Sequence, residues 1–320
     1  MKIGIIGVGA LGGYYGAKLA LAGNTVHLIA RGATLEAIQE RGLTVQRDDS
    51  TLSVTEIHAT DDASTVGVVD LVIVATKSYH LDSLGSTLRA LKGPETIVLP
   101  LQNGIDSAER LSALTEAKGI LGGLTYLPAT VSAPGVVRQQ GEEKPILLGA
   151  LNANDTDAAA TAYAVLHAAG IAVEHHTDIR VALWMKFILT IGTMGVQSVA
   201  GQGFGETRED PDTRALYFEC MGEVAVLAKD SGITLPADTQ AQLMAKIDSY
   251  PAVAKASMLQ DLERGRPLEL DAMHGTVVRL GKTLGVPTPA NQFIYSTLKL
   301  RAAGAGALTA ASSSECRKDR

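Results

Sequence analysis

The sequence predicts an α/β protein, with a mainly parallel β-sheet in its N-terminal part followed by an all-helical domain. Three observations lead to this prediction. Strand-like and helix-like segments alternate through the first half, a glycine-rich turn joins the first predicted strand to the first predicted helix, and β-rich runs nearly vanish after His176. We expect a first domain over residues 1–176, a helical domain over 177–308 and a disordered polar tail over 309–320.

The alternation in the first half is typical of βαβ units, whose strands pair in parallel. The predicted strands are 3–6, 25–29, 43–47, 71–75 and 96–100, and the predicted helices include 34–40, 81–91 and 107–113. Between residues 124 and 149, short β-like pieces are separated by Pro and Gly, and we interpret them as additional, partly antiparallel strands that complete the first domain. A helix over 155–169 and a strand over 171–174 follow.

The second half contains long helical patterns with recognisable ends. They cover residues 178–199, 212–231, 238–248, 269–284 and 290–302. Asp210-Pro211 is a helix-start signal, Gly232 and Gly285 are helix-stop signals, and Pro289 precedes the last pattern. This half therefore predicts a helical domain.

Composition excludes several classes of protein. The chain of 320 residues is 46% hydrophobic, with a net charge of −6 and no basic stripe that would favour nucleic acid. Its only cysteines, Cys220 and Cys316, give no disulfide framework, and we expect no metal site because His175-His176 has no further ligands near it. The apolar segment 181–200 contains Lys186, which favours a buried core helix over a membrane span. No signal-peptide pattern precedes the first predicted strand, so we expect a cytoplasmic protein.

The glycine-rich turn predicts a dinucleotide site. Gly7-Val8-Gly9-Ala10-Leu11-Gly12 follows the first predicted strand directly and opens the first helix, as in a Rossmann-like fold. Gly7 allows the tight turn, Gly9 lets the backbone approach a pyrophosphate, and Gly12 lets the helix pack closely on the strand. A merely structural turn is the alternative.

The residue after the second predicted strand favours NADP(H) over NAD(H). A site that prefers NAD usually places Asp or Glu there to hold the ribose 2′-hydroxyl, whereas this chain has Ala30-Arg31-Gly32. A carboxylate would repel a 2′-phosphate, and an arginine would attract it. The alternative for Arg31 is a solvated loop charge.

Candidate catalytic groups lie mostly in the helical half. Lys186 is surrounded by apolar residues in its predicted helix, and burial would lower its pKa toward the range of a general acid; the alternative is a lysine that reaches the surface from a helix end. Asp261 and Glu269 are possible carboxylate partners, although either could be a solvated charge. Asn103 follows a predicted parallel strand, where open α/β sheets bind ligands, and an Asn-Gly turn explains it equally well.

Taken together, these motifs resemble those of the ketopantoate reductase family (2-dehydropantoate 2-reductase) over almost the whole chain. The resemblance is carried by the glycine motif, Arg31, Ala75-Thr76-Lys77, Gln102-Asn103-Gly104, Trp184-Met185-Lys186 and Ser257-Met258-Leu259-Gln260-Asp261 with Glu269. It implies an N-terminal Rossmann domain, a C-terminal helical domain and a substrate cleft between them.

The resemblance implies NADPH-dependent reduction of a 2-keto acid, foremost ketopantoate to pantoate on the route to pantothenate and coenzyme A. Lys186 matches the proton donor and Glu269 a carboxylate that orients the lysine and contacts substrate and cofactor. Ser257, Asp261 and Thr190 fall at substrate-binding positions, and Asn103 falls where cofactor and substrate meet. Arg31 and Lys77 match the pair that holds the 2′-phosphate. The oligomeric state is left open, with a homodimer as one candidate.

One departure from the family's pattern concerns the substrate. Well-known members carry Asn four and eight residues after the lysine, where this chain has Thr190 and Met194. Met194 cannot replace an amide. This departure leaves open a related reductase of another 2-keto acid. Two further alternatives, a 3-hydroxy acid dehydrogenase of similar build and a non-catalytic sensor that binds NADP(H), are independent of it.

Overall fold

The structure is a computed structural model that describes residues 1–115 and 119–304. The expected tail over 309–320, including Cys316, lies outside the described residues. The chain divides into two compact units, Met1–Leu183 and Trp184–Arg320, and the division falls within one long helix.

The first unit alternates strands with helices. Its strands are β1 Lys2–Ile6, β2 Thr25–Ile29, β3 Leu43–Gln46, β4 Thr51–Val54, β5 His58–Thr60, β6 Val69–Val74, β7 Lys92–Pro100, β8 Gly122–Thr125, β9 Ala129–Ala133, β10 Val136–Gln139, β11 Ile146–Gly149 and β12 Val173–His175. Its helices are α1 Ala10–Leu21, α2 Gly32–Arg41, α3 Gly85–Leu91, α4 Ser107–Thr115 and α5 Thr156–Ala168, with short 3₁₀ segments at Ala63–Thr65, Ser78–Leu84 and Ala153–Asp155.

The main sheet is parallel throughout, in the order β5-β2-β1-β6-β7. Successive residues of a strand point to opposite faces, and here both faces are buried. Leu71 and Ile73 belong to one hydrophobic core, and Val72 and Val74 belong to another. This is why the strands read as continuous apolar runs, and the predicted mainly parallel sheet is confirmed.

The segment from residue 124 to 149 also forms strands as predicted, but they lie in two smaller sheets. One has the order β4-β3-β10-β9 and the other β12-β11-β8. Antiparallel pairs join β9 to β10 and β8 to β11, whereas β10 pairs with β3, and β11 with β12, in parallel. The expectation of partly antiparallel pairing is therefore confirmed.

The described part of the second unit is helical, as predicted. The helices are α6 Ile179–Ala200, α7 Phe204–Glu209, α8 Pro211–Asp230, α9 Thr239–Ser249, α10 Ser257–Glu263, α11 Thr276–Leu284 and α12 Pro289–Leu298. A π-helical turn, Asp271–Gly275, precedes α11, and a 3₁₀ turn, Lys299–Arg301, follows α12.

The predicted helix ends have a physical basis in the structure. The carboxylate of Asp210 accepts a hydrogen bond from the amide of Thr213 at 2.9 Å, and Pro211 is the first residue of α8. Gly285 ends α11 in the left-handed conformation with φ of 71°, and Pro289 is the first residue of α12.

Helix α6 is long and apolar enough to cross a membrane by length and composition alone. In the most apolar 18-residue window of α6, 67% of the residues are buried inside the protein, which is the behaviour of a core helix. The predicted core helix is confirmed.

Candidate functional site

The first group of predicted site residues lies at the carboxyl edge of the main sheet. Strand β1 has β2 on one side and β6 on the other, so the strand order reverses beside it, which is where open α/β sheets bind ligands. Gly7 follows β1 with φ of 91°. A Cβ atom on Gly7 would lie 2.7 Å from the backbone nitrogen of Thr76, just after β6. Only glycine fits this conformation and this close approach.

The other two glycines of the motif differ in what surrounds them. A Cβ atom on Gly12 would lie 2.1 Å from the carbonyl oxygen of Gly7, so the first turn of α1 closes tightly onto the strand. A Cβ atom on Gly9 would have no other heavy atom within 4 Å. Gly9 therefore borders open space, as a backbone that approaches a pyrophosphate must. The first turn of α1 carries no acidic residue, so the N-terminal end of the helix suits an anion.

Arg31 and Lys77 lie at the same edge, just after the ends of the two strands that flank β1. Arg31 is exposed and immediately precedes α2, two residues after β2 ends. Lys77 is half-buried and follows β6 by three residues. Two cations beside a helix N-terminus are the donor set that the 2′-phosphate and pyrophosphate of a dinucleotide require, so the residues present fit the predicted NADP(H).

The segment Gln102-Asn103-Gly104 follows β7 at this edge. Gln102 is buried, and its Nε2 donates to Oγ1 of Thr76 over 3.3 Å, which joins the ends of β6 and β7. Asn103 is half-buried, and Gly104 turns the chain with φ of 105°. Both interpretations of Asn103, a ligand contact and an Asn-Gly turn, fit this position.

Lys186 lies in the interior of α6 and is only 9% exposed. A lysine that reaches the surface from a helix end is thereby excluded. Burial lowers the pKa of Lys186 to about 8, the Glu269 carboxylate opposes this by raising it, and the Lys246 ammonium lowers it further. A cation that can lose its proton near neutral pH is suited to act as a general acid.

The predicted carboxylates occupy different local structures. Glu269 is 5% exposed and lies just before the π-helical turn 271–275, a distortion that often occurs at functional sites. Asp261 is buried in α10, and its Oδ1 lies 3.9 Å from Nη1 of Arg266. The Glu269 carboxylate thus acts electrostatically on Lys186, and Asp261 has Arg266 as an ion-pair partner. Ser257 is the half-buried first residue of α10.

Thr190 and Met194 occupy the turns of α6 that follow Lys186. The hydroxyl of Thr190 donates to the backbone oxygen of Lys186 at 2.9 Å or of Phe187 at 3.1 Å, so it can only accept from a further partner. Met194 is 5% exposed and apolar.

Two residues beside this group were not predicted from the sequence. Lys246 of α9 acts on Lys186 electrostatically, and Gln197 of α6 accepts a hydrogen bond at Oε1 from the amide of Ala256 at 2.7 Å. Lys246 carries no local sequence signal. Gln197 has a weak sequence signal, because it lies eleven residues after Lys186 and therefore on nearly the same face of α6.

Comparisons with known proteins match both parts of the chain to the same family. Two family models match, ketopantoate reductase PanE/ApbA over residues 3–153 and its C-terminal domain over residues 178–302. The chain is 32% identical to a 2-dehydropantoate 2-reductase of Mesorhizobium japonicum, over 90% of this chain and 94% of that protein.

Solved structures give the same result. A PanE/ApbA family ketopantoate reductase from Ralstonia eutropha superposes with a TM-score of 0.86 at 31% identity, over 94% of this chain and 98% of the other. A D-mandelate dehydrogenase solved with NADH and anilino(oxo)acetate superposes with a TM-score of 0.87 at 25% identity, over the same shares of the two chains. The chain therefore belongs to the ketopantoate reductase PanE/ApbA family of oxidoreductases, as its sequence predicted.

Proposed function

We propose that the protein reduces a 2-keto acid to the corresponding 2-hydroxy acid with NADPH, and that ketopantoate is the first substrate to test. The observation that carries this proposal is the buried Lys186, on whose charge the equally buried Glu269 carboxylate acts. Such a pair has no evident use in a protein that only binds a nucleotide. The family supplies the reaction class, and the glycine motif fits a dinucleotide.

When bound, NADPH supplies the hydride that reduces the keto carbon. Lys186 stabilises the negative charge that develops on the keto oxygen and donates its Nζ proton to it, so the product is a neutral hydroxyl. Glu269 keeps Lys186 protonated and oriented. Ser257 binds the substrate carboxylate, Asn103 contacts both cofactor and substrate, and Thr190 and Asp261 complete the substrate contacts.

The choice of NADPH over NADH rests on charge. Arg31 and Lys77 hold the 2′-phosphate, and no carboxylate follows β2 to hold a ribose 2′-hydroxyl instead. Gly7, Val8, Gly9, Ala10, Leu11 and Gly12 form the backbone cradle for the pyrophosphate. Reduction of ketopantoate would place the protein in cytoplasmic pantothenate biosynthesis.

A second candidate is the reduction of a less hydroxylated 2-keto acid. The observation that favours it is the buried, apolar Met194 beside a Thr190 whose hydroxyl proton is already donated to the helix backbone. Both replace amides that would meet polar substrate groups. The similar D-mandelate dehydrogenase, solved with anilino(oxo)acetate, carries an aromatic 2-keto acid analogue.

The deciding experiment follows NADPH absorbance across a panel of 2-keto acids, including ketopantoate and aryl-substituted acids, together with 3-keto acids. We expect turnover of at least one 2-keto acid, and Lys186→Ala should lower kcat by about 10²–10⁴ with little change in NADPH affinity. Lys229→Ala is the matched control, since Lys229 is an exposed lysine in α8.

Three results would contradict the proposal. Turnover of 3-keto acids alone would indicate a 3-hydroxy acid dehydrogenase. Tight NADPH binding without turnover would indicate a sensor. A Lys186→Ala variant that keeps more than about half of kcat would remove the lysine from the mechanism.

A further inference from the structure

We propose that Gln197 is a positioning residue for the substrate: it fixes the start of α10 and thereby Ser257. This inference rests on the proposed function, because it concerns how that site holds the 2-keto acid. Gln197 is not among the site residues predicted from the sequence, and its side chain is completely buried.

The contact that carries the inference is a hydrogen bond between a side chain and the backbone. The amide nitrogen of Ala256 donates to Oε1 of Gln197 over 2.7 Å, and the donor and acceptor are both buried. Ala256 immediately precedes Ser257, the first residue of α10. The bond therefore fixes the backbone one residue before the proposed substrate contact.

Gln197 also lies on the face of α6 that carries the catalytic lysine. Lys186, Thr190, Thr193 and Gln197 are spaced by four, three and four residues, which aligns them along one side of a helix. Eleven residues make three turns to within about 20°. One rigid helix thus carries both the proton donor and the group that holds α10.

The segment before α10 has support of its own. The amides of Phe204 and Gly205 donate to the carbonyls of Ala254 and Ala252 over 3.1 and 2.9 Å. These bonds hold residues 252–254 to the start of α7. The Gln197 bond extends this anchoring to the last residue before α10, so its loss should loosen Ser257 without unfolding the loop.

The test compares two substitutions at Gln197 with one control. Gln197→Met keeps the side-chain length and removes the amide oxygen, whereas Gln197→Glu keeps an acceptor oxygen toward Ala256 in either protonation state. Gln240→Met is the control, because it makes the same substitution in the same unit but removes a more exposed bond, in which Nε2 donates to the carbonyl of Phe218 at 3.0 Å.

We expect Gln197→Met to raise KM for the 2-keto acid by about 5- to 20-fold, with kcat within about twofold of wild type and an unchanged Kd for NADPH. Gln197→Glu should recover most of the loss, and Gln240→Met should change none of these values. If Gln197 had a merely structural role, its substitution would instead impair kcat, KM and the Kd for NADPH together, or change none of them.

Hydrogen exchange supplies a second readout that needs no turnover. In Gln197→Met, the amides of residues 256–261 should exchange faster, while those in the middle of α6 keep their protection. Unchanged exchange, or an unchanged KM in an active protein, would overturn the inference. If instead the wild type turned over no keto acid, the proposed function would have failed, and that result is distinct from either of these.

Discussion

Lys186 is only 9% exposed, and a negative and a positive charge act on it. Burial is the main cause of its lowered pKa, and the Glu269 carboxylate and Lys246 ammonium act on it in opposite directions. An isolated buried ammonium would lose its proton too readily to be useful at neutral pH. In the proposed mechanism, the carboxylate of Glu269 would keep the lysine charged until the substrate oxygen takes the proton.

We expect the activity to fall as pH rises through the pKa of Lys186, near 8, because the general acid must be protonated. Glu269→Gln removes the charge that raises this pKa, so the basic limb of the kcat/KM profile should move to lower pH. Lys246→Met removes a charge that lowers it, so the limb should move to higher pH. The pH profiles of the three proteins test this, and shifts in the same direction for both variants would contradict the assignment.

Arg31→Ala should weaken NADPH binding by about 10- to 100-fold, because a hydrogen bond to a charged group contributes about 1.5–3 kcal/mol. NADH lacks the 2′-phosphate, so its affinity should hardly change. Calorimetric titration with both cofactors measures the difference. Arg41→Ala at the other end of α2 is the control, and equal Kd values for NADPH and NADH in the wild type would refute the cofactor assignment.

The Thr190→Asn, Met194→Asn double variant should gain ketopantoate activity. A missing hydrogen bond to a buried group costs about 1–3 kcal/mol, so restoring the amides should raise kcat/KM for ketopantoate by about 5- to 150-fold. Less hydroxylated 2-keto acids should gain nothing. If the wild type already reduces ketopantoate with kcat/KM above about 10⁶ M⁻¹s⁻¹, the departure from the family's pattern has no consequence.

Lys186 and Glu269 could be predicted from the sequence as candidate site residues, whereas Gln197 and Lys246 could not. A lysine in an apolar helix is a local anomaly that a single sequence displays. The environment of Gln197 is set by the approach of the segment before α10, and that of Lys246 by the packing of α9, which are contacts between distant parts of the chain.

At the scale of elements, the unit from β1 to α1 joins two different glycine requirements. Gly12 is needed by the protein itself, because its missing side chain lets α1 close onto the turn. Gly9 has open space around it and is needed only if something binds there. The fold and the ligand therefore make separate demands on neighbouring positions of one motif.

These demands predict that two similar substitutions affect different properties, one the stability and the other the cofactor affinity. Gly12→Ala should lower the free energy of unfolding by about 1–3 kcal/mol, because its Cβ atom would clash with the Gly7 carbonyl. Gly9→Ala should leave stability within about 0.5 kcal/mol and weaken NADPH binding. Urea denaturation and cofactor titration separate the two effects. Loss of stability in Gly9→Ala with normal NADPH affinity would show that Gly9 is structural.

Elements of more than about two turns, and strands with continuous apolar runs, were predictable because their periodicity is local. The helices that were not predicted, α7 with six residues and α10 with seven, are too short to display a period. The predicted helix over 81–91 begins instead as the 3₁₀ segment Ser78–Leu84, and only Gly85–Leu91 is α-helical. Strands β4 and β5 were also missed, since they have only four and three residues and Val54 is the one buried residue in them.

At the scale of the whole molecule, the proposed chemistry divides between the two units. The parallel sheet of the first unit presents its strand ends and a helix N-terminus, which suit an anionic cofactor. The helices of the second unit bury a titratable lysine, which suits proton transfer. The change from a parallel sheet with helices to a helical region was predictable from the sequence, because alternating and purely helical patterns separate along the chain without mixing.

A buried histidine makes the stability of the molecule sensitive to acid. His274 is completely buried in the π-helical turn, and its ring Nδ1 lies 2.8 Å from Oδ1 of Asn291. The Asn291 Nδ2 donates to the carbonyl of Cys220 and to the carboxylate of Glu223, so its Oδ1 accepts from Nδ1–H of a neutral imidazole. The other ring nitrogen faces Gly195 of α6, where even a Cβ atom would lie 2.3 Å from it. Among the described residues, no group forms a hydrogen bond with this nitrogen, so a second proton there would lack an acceptor.

Burial accordingly lowers the pKa of His274 from 6.5 to about 4, while the bond to Asn291 opposes this. Below the unfolded pKa, the unfolded chain binds a proton that the native chain does not, so stability falls as pH falls. From this shift we expect a loss of about 3 kcal/mol by about pH 4. Urea denaturation at neutral pH and near pH 4 should show this loss in the wild type, and a loss smaller by about that amount in His274→Gln, whose amide does not titrate. Equal acid sensitivity of the two proteins would mean that protonation of His274 costs no stability. The close packing of its ring against Gly195 argues against that outcome.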